Sequence, residues 1–489
     1  MIQKFVLMLL TAVAVAGCAT NPATGKQNVV LSSMKSERES ARRAYEEIIK
    51  FYGAYEDQAV QDYINEIGQR VARQSDLPDE EWKFVVLDDE SVNAFTTGGG
   101  YVYLHRGLLT HLNSEAEIAS VIGHEIAHVT LRHPARRQSR GMLASILSVG
   151  AAIATGSQAV AQMANIGAAA WVQGYGRESE AEADRYGLKY AAKAGYQPEA
   201  MARTFEMFKA QERFERDRAR EEGREPQIYH GVFSSHPAPD SRAFEAAKGA
   251  AAFQGGTPEG GWVENHDRYL RMLDGMPYGS SRAQGIVREN RFYHAGMGIT
   301  LAFPRGWTVE NMRDRLLAYT VNKDSVMQLT SEVRPENKAP REFLLEKLKG
   351  ASLAGGEAIS SNGMDGYTLL ARTGSPLDNG QGPVRWTVIY RDKSAFVFGG
   401  ASKSANQGRP EADGLFVSVA QTLRSLKPSE FPLAEPYRLK IRAADGPQSI
   451  DQYASDVPVE KYKKEELQLI NGVYPDSNLK PGQLFKTVE

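Results

Sequence analysis

Residues 121–128 read V-I-G-H-E-I-A-H, and this stretch decides the fold of the first half of the chain. In a helix that turns about 100° and rises about 1.5 Å per residue, His124 and His128 lie one turn apart on the same face. Both imidazoles can therefore reach one metal ion. Glu125 lies beside that ion, where a general base for a metal-bound water is needed, and imidazole ligands with an open position suit zinc. The pattern predicts a zinc-binding helix with Glu125 as catalytic base.

The H-E-x-x-H pentapeptide is a specific signal. The chain has nine histidines in 489 residues, so a chance occurrence is expected on the order of once in a hundred such chains. The alternative is a surface helix whose two histidines are merely solvated. The apolar neighbours disfavour it, because buried imidazoles and carboxylates need partners; these neighbours are Ile118, Val121, Ile122, Ile126 and Val129.

A third ligand must come from elsewhere, since a catalytic zinc ion usually has three protein ligands and one open position. Residues 176–187, G-R-E-S-E-A-E-A-D-R-Y-G, form a second helical segment rich in carboxylates. Glu180 and Asp184 stand four residues apart, so one can bind the ion while the other hydrogen-bonds a ligand histidine. Taken alone, the segment would be interpreted as an acidic, solvated helix face. Beside the pentapeptide, it is interpreted as the source of the third ligand.

Together the two motifs resemble the gluzincin family of zinc metallopeptidases of the HtpX, BepA and prenyl-protein protease type. The resemblance implies that His124, His128 and Glu180 bind one zinc ion per chain. It also implies that Glu125 is the base and that Asp184 supports a ligand histidine. The fold that it implies is a mainly helical zincin-type domain with a small β-sheet.

Two further stretches carry the resemblance, which spans roughly residues 40–250. Residues 93–103 resemble the substrate-side edge strand of the family, and an exposed edge can bind an extended peptide through main-chain hydrogen bonds. The alternative is an ordinary hairpin; the residues assigned to the edge are Asn93, Gly99, Gly100 and Tyr101. Residues 235–237, S-H-P, resemble the late S-x-H-P loop. The resemblance implies that His236 takes the fourth zinc position as a switch, although His230 could compete for that role.

The N-terminus has the pattern of a bacterial lipoprotein. Lys4 precedes an apolar run, 5–16, that is too short to span a bilayer, so residues 1–17 are predicted to be a signal peptide. Cys18 ends the lipobox V-A-G-C and is the only cysteine. It is therefore interpreted as the lipidated N-terminus, and no disulfide can form. Ala19 resembles an outer-membrane sorting signal, which predicts a lipid-anchored periplasmic protein; the alternative is an ordinary cleaved signal with an incidental cysteine.

Residues 141–174, between the two zinc-binding segments, are rich in apolar and small residues. Their length raises the question of a transmembrane span. The polar residues and glycine breaks within them favour a small-residue helical hairpin packed on the protein, or lying against a membrane or partner.

The whole chain is predicted to be α+β, with several domains. After the signal peptide come a tether at 18–40, the metallopeptidase domain at 41–255 and a glycine-rich linker at 256–285. Strand-like runs dominate residues 286–430, which predicts an accessory α+β domain built on an antiparallel sheet. Residues 431–489 resemble a LysM module, a type that commonly binds cell-wall glycans. D-G-P replaces the usual G-D-T there, so a degenerate module serving as a protein contact is an equal alternative.

These features predict a zinc endopeptidase of the bacterial cell envelope that hydrolyses misfolded or misassembled envelope proteins. An alternative is an outer-membrane assembly chaperone or scaffold whose zinc site is mostly latent. The expected partners are unfolded envelope proteins, the outer-membrane assembly machinery and peptidoglycan. The 58 basic and 60 acidic residues nearly balance and form no basic stripe, which argues against nucleic-acid binding.

Overall fold

The computed structural model describes residues 18–139, 175–223, 225–226, 239–253, 255–312, 314–377, 379–403, 405–406, 409–447, 449–459 and 461–489. The chain divides into two compact units. The first comprises Met1–Met276 and Arg438–Glu489, and the second comprises Pro277–Tyr437. Helices and strands occur in both units, which confirms the predicted α+β class. The predicted signal peptide, the predicted hairpin at 141–174, His230 and His236 lie outside the described residues.

The first unit begins with the helices and strands that build the metal centre. Its helices are α1 (Met34–Tyr52), α2 (Gln58–Ala72), α3 (Arg106–His111), α4 (Glu115–Thr130), α5 (Arg177–Lys193), α6 (Ala200–Glu221), α7 (Pro239–Ala251) and α8 (His266–Leu273). Its strands are β1 (Cys18–Thr20), β2 (Gln27–Val29), β3 (Lys83–Leu87), β4 (Ala94–Gly98) and β5 (Tyr101–His105). Among the described helices of the chain, none has the length and apolar character needed to cross a bilayer.

The helix α4 lies at the centre of this unit. Ser114 caps it by accepting a hydrogen bond from the backbone N–H of Glu117 at 3.2 Å. All sixteen of its residues are buried, because α2, α5, α6 and β4 pack around it. Seven of these sixteen residues are polar or charged, and their buried side chains must find partners inside the protein.

The small sheet has the strand order β3-β5-β4. Strands β3 and β5 are parallel, whereas β4 and β5 are antiparallel, so β3 and β4 are the two outer strands of this sheet among the described residues. All five residues of β4 are buried, which corrects the expectation of an exposed edge. Gly98, Gly99 and Gly100 turn the chain between β4 and β5, all with positive φ, a conformation that glycine adopts without strain. Tyr101 begins the central strand β5 and not the edge, which corrects its predicted place.

The second unit is built on antiparallel sheets. Its elements are β6 (Pro277–Tyr278), β7 (Ile286–Arg288), β8 (Arg291–His294), β9 (Ile299–Ala302), β10 (Thr308–Asn311), β11 (Leu316–Tyr319), β12 (Ser325–Val333), α9 (Pro340–Lys347), β13 (Leu353–Ser361), β14 (Met364–Ala371), β15 (Val384–Arg391), β16 (Ser394–Ser402), β17 (Ala405–Asn406), β18 (Arg409–Pro410), α10 (Asp413–Gln421) and β19 (Arg424–Ser425). Seven strands form a sheet in the order β10-β11-β12-β16-β15-β14-β13. Its core includes Phe396, Phe398 and Phe416 of β16 and α10.

The C-terminal segment returns to the first unit. It contains β20 (Tyr437–Ala443), α11 (Ser449–Ala454), α12 (Lys463–Ile470) and β21 (Leu484–Val488), and β20 pairs antiparallel with β21. The LysM resemblance of this segment and its glycan binding stay predictions. The Nζ atom of Lys486 donates hydrogen bonds to the carbonyls of Thr110 and Leu112 at 2.8 and 2.7 Å. The segment is thus docked where α4 begins.

The burial of Lys486 should make stability depend on pH. Burial lowers the pKa of this fully buried lysine to about 7, against an opposing effect of Glu117. In the unfolded chain its pKa is about 10.4, so between these values the unfolded state binds more protons and stability rises with pH. We expect the wild type to gain about 1 kcal/mol of unfolding free energy per pH unit, relative to Lys486→Met, between pH 7.5 and 9.5. Urea unfolding at several pH values measures this difference, and equal slopes for the two proteins would contradict the assignment.

Candidate metal centre

Two glycines let α4 and α5 cross at backbone contact. A Cβ atom on Gly187 would lie 2.6 Å from the backbone nitrogen of His124, and one on Gly123 would lie 2.6 Å from the carbonyl oxygen of Gly187. Both distances are too short for real atoms, and backbone cannot move aside as a flexible side chain can. The crossing therefore requires glycine on both helices. It brings the acidic face of α5 against the histidines of α4.

Three side chains converge at this crossing. The Nε2 atoms of His124 and His128 lie 3.0 Å apart. The carboxylate of Glu180 places Oε2 at 3.5 Å from Nε2 of His124 and Oε1 at 3.6 Å from Nε2 of His128. Zinc bound tetrahedrally at about 2.0–2.2 Å holds its ligand atoms about 3.3–3.6 Å apart. All three residues are buried, and their donor set of two imidazoles and one carboxylate fits zinc.

Asp184 and Arg242 hold this cluster from one side. The Oδ1 atom of Asp184 lies 2.9 Å from Nδ1 of His124, which turns Nε2 toward the other donors. Arg242 donates two hydrogen bonds to Asp184, both at 2.7 Å, and its Nη1 lies 3.0 Å from Oε2 of Glu180. Arg242 thus ties α7 to both carboxylates of α5. Sequence reasoning missed it, because a single arginine in a polar helix carries no distinguishing pattern.

The electrostatics follow from these contacts. Burial lowers the pKa of His124, but hydrogen bonds to Asp184 and Glu180 outweigh it and raise the pKa to about 9. Burial raises the pKa of Asp184, but the charge of Arg242 and the hydrogen bond to His124 hold it below its usual value. Asp184 is therefore ionised at neutral pH and remains an acceptor for His124.

His128 has a separate set of neighbours. Its Nδ1 lies 2.8 Å from Nδ1 of His133, and Nε2 of His133 lies 3.3 Å from Oε2 of Glu182. Burial lowers the pKa of His133, so this imidazole is neutral near pH 7. The ring of Tyr175 stacks on His128 with the ring centres 4.0 Å apart. Glu182 therefore contacts His133, which in turn contacts the candidate ligand His128.

Glu125 is 1% exposed and borders a cavity with His124, Arg242 and Ala94 of the edge strand. The structure thus places His124, Glu125, His128, Glu180 and Asp184 in one region. The residues predicted for the edge strand do not all lie on β4. Asn93 is buried just before β4 and its carbonyl accepts from the backbone N–H of His105 at 2.9 Å. Gly99 and Gly100 lie in the turn, against the backbone of Arg38 and Glu81.

The part of the chain that carries this site is similar to known proteins. Residues 58–250 match the model of Peptidase family M48. The chain is 40% identical over 159 residues to a putative beta-barrel assembly-enhancing protease of Vibrio cholerae, a match that covers 30% of this chain and 33% of the relative. It is 32% identical over 206 residues to the beta-barrel assembly-enhancing protease of Escherichia coli, covering 39% of each. It is 26% identical over 253 residues to the metalloprotease LoiP of Escherichia coli, covering 48% of this chain and 95% of LoiP.

The match spans a third to two fifths of the length of the first two relatives. The family match at residues 58–250 includes both helices that carry the candidate ligands, and it confirms the resemblance found in the sequence. Residues 58–250 are thus the part of the chain that resembles the metallopeptidases of family M48.

Proposed function

We propose that this protein is a zinc-dependent endopeptidase. The observation that carries the proposal is the convergence of His124, His128 and Glu180 within bonding range of one ion, with the buried Glu125 next to His124 in sequence. One zinc ion per chain fits this donor set. When bound there, zinc lowers the pKa of a coordinated water and stabilises negative charge on a carbonyl oxygen.

The side chains of the site have distinct roles in the proposed reaction. Glu125 accepts a proton from the attacking water and delivers it to the leaving amine nitrogen, so that the C–N bond breaks and a carboxylate and an amine form. Asp184 and Arg242 keep the His124 ring in one orientation, and Arg242 also holds Glu180. Edge strand β4 binds the substrate backbone as an added strand, which presents the peptide carbonyl to the site.

Replacement of Glu180 tests the metal site. We expect Glu180→Ala to weaken zinc affinity at least a hundredfold, because two imidazoles then remain as the protein ligands and the Arg242 charge loses a partner. Metal content after dialysis against a zinc buffer, measured by mass spectrometry, checks this. Glu178→Ala is the matched control, since Glu178 is exposed on the same helix. Retention of stoichiometric zinc by Glu180→Ala would remove Glu180 from the ligand set.

The proposed substrates are misfolded or misassembled proteins of the bacterial envelope. The lipobox at Cys18 and the names of the relatives, which are assembly-enhancing proteases, support this proposal. It includes a periplasmic location with a lipid anchor in the outer membrane, and a role for His236 in the fourth zinc position. Degradation of an unfolded outer-membrane protein by the purified, zinc-loaded protein tests the substrate class.

A second candidate is an assembly chaperone whose zinc site is mostly latent. The names of the relatives favour it as well, because they join assembly to proteolysis. In that case, the zinc-loaded protein protects an unfolded outer-membrane protein from aggregation without cleaving it, and Glu125→Gln protects it equally. Peptidoglycan binding by residues 431–489 is a separate proposal, tested by pull-down of the full chain and of a chain that ends at residue 436.

A further inference from the structure

A small cavity lies directly beside the proposed catalytic residues. His124 and Glu125 of α4 border it on one side, and Ala94 of the edge strand borders it on another. Its volume is about 30 Å³, enough for about two water molecules at ~10–15 Å³ each. In the proposed substrate pose, with the peptide along β4 and its carbonyl at the metal centre, one side chain would lie next to this cavity. In that pose the cavity adjoins the bond that is cleaved.

Part of the cavity wall is apolar. This part includes Val121 from α4 and Met201, Phe205 and Phe208 from α6, and all four side chains are at most 9% exposed. An aliphatic side chain that enters leaves water for a hydrocarbon surface, which is favourable by about 0.8 kcal/mol per buried CH₂ group. Binding in the cavity is thus more favourable for an apolar substrate side chain.

Two hydroxyl groups also face this region, but both are engaged within the helices. Ser120 donates to the carbonyl of Glu117 at 2.8 Å, and Thr204 donates to the carbonyl of Ala200 at 3.0 Å. The two hydroxyls lie 3.2 Å from each other. A polar substrate side chain would lose its hydration here without gaining a donor in exchange, and burial of an unpaired polar group is unfavourable.

The guanidinium of Arg242 at the cavity is neutralised by carboxylates. Arg242 pairs with Asp184 and Glu180, and its guanidinium carbon lies 4.5 Å from the centre of the Phe205 ring. An acidic substrate side chain would meet a guanidinium that already faces two carboxylates. Charge attraction therefore does not favour aspartate or glutamate in this cavity.

We infer that this cavity is a specificity pocket that selects a small aliphatic side chain, alanine or valine, at one of the two positions adjoining the cleaved bond. The inference rests on the proposed endopeptidase activity. The limited volume excludes aromatic rings, the apolar part of the wall favours aliphatic groups, and the engaged polar groups disfavour charged ones. Pockets of this type discriminate by roughly 10–200-fold per methylene of misfit.

The test uses the zinc-loaded full chain and a peptide library whose cleavage sites are identified by mass spectrometry. Alanine and valine should exceed phenylalanine and aspartate at least tenfold in kcat/KM at one position beside the cleaved bond. Met201→Ala enlarges the pocket, so leucine and phenylalanine should gain at least tenfold relative to alanine. Met207→Ala is the matched control, because Met207 is a buried methionine of the same helix that does not border the cavity. If Met201→Ala fails to fold, Phe208→Leu tests the same pocket, because it also enlarges the cavity but changes the volume of the side chain less.

A binding measurement makes the test independent of turnover. Labelled peptides in which CH₂–NH replaces the cleaved amide should bind more tightly with valine than with phenylalanine beside that bond, by fluorescence anisotropy, and Met201→Ala should narrow the difference. Cleavage without this preference, or with phenylalanine or aspartate preferred, would overturn the pocket assignment and leave the protease assignment intact. Absence of any cleavage by the zinc-loaded wild type would overturn both.

Discussion

Glu125→Gln is expected to lower proteolysis of an unfolded protein substrate by at least a thousandfold while zinc content stays at the wild-type level. The amide of glutamine has nearly the same shape as the carboxylate, but it cannot accept a proton from water. General acid–base groups contribute roughly 10²–10⁴-fold to rate, and here one group serves both the attack and the departure of the amine. Fluorogenic peptide cleavage and metal analysis on the same sample separate the two effects.

The control for this variant is Glu178→Gln, the same exchange at an exposed position of α5. It should retain both activity and zinc. The thermal unfolding midpoint of Glu125→Gln should stay close to that of the wild type, because glutamine fills nearly the same buried volume as glutamate. Cleavage by Glu125→Gln at even a tenth of the wild-type rate would assign the base to another residue.

Gly187→Ala is expected to separate the two zinc-binding helices. The added Cβ would lie 2.6, 2.8 and 2.9 Å from backbone atoms of His124 and Gly123, so the helices must move apart by several tenths of an ångström or more. Overpacking of this kind destabilises by about 1–3 kcal/mol. The shift also moves Glu180 away from the two imidazoles, so we expect a loss of at least tenfold in zinc affinity, measured by competition with a chelating dye, and a lower unfolding midpoint.

Helix propensity alone predicts the opposite sign, since alanine favours a helix over glycine by about 1 kcal/mol. Gly414→Ala in α10 shows this propensity effect, because no atom lies within 4 Å of its added Cβ; it should unfold at the wild-type temperature or above. Zinc affinity and unfolding midpoint at or above wild type in Gly187→Ala would show that the crossing tolerates a methyl group.

The sequence by itself determined the centre of the site because the decisive spacing is local. His124 and His128 share a helix face through helical periodicity alone, and this spacing requires no knowledge of the rest of the fold. The four-residue separation of Glu180 and Asp184 acts in the same way on α5. That spacing does not tell which of the two carboxylates lies toward the imidazole Nε2 atoms. Only the resemblance to a family indicated Glu180 as the third ligand.

The tertiary structure decided everything that joins distant parts of the chain. Arg242 reaches Asp184 across 58 positions, Lys486 reaches Thr110 across 376, and Gly187 meets Gly123 because two helices cross at that point. Single arginines, lysines and glycines have no periodicity that marks such contacts in advance. Side-chain type and local spacing determine the chemistry of this protein, whereas packing between elements determines which groups orient it and which side chains border the cavity beside it.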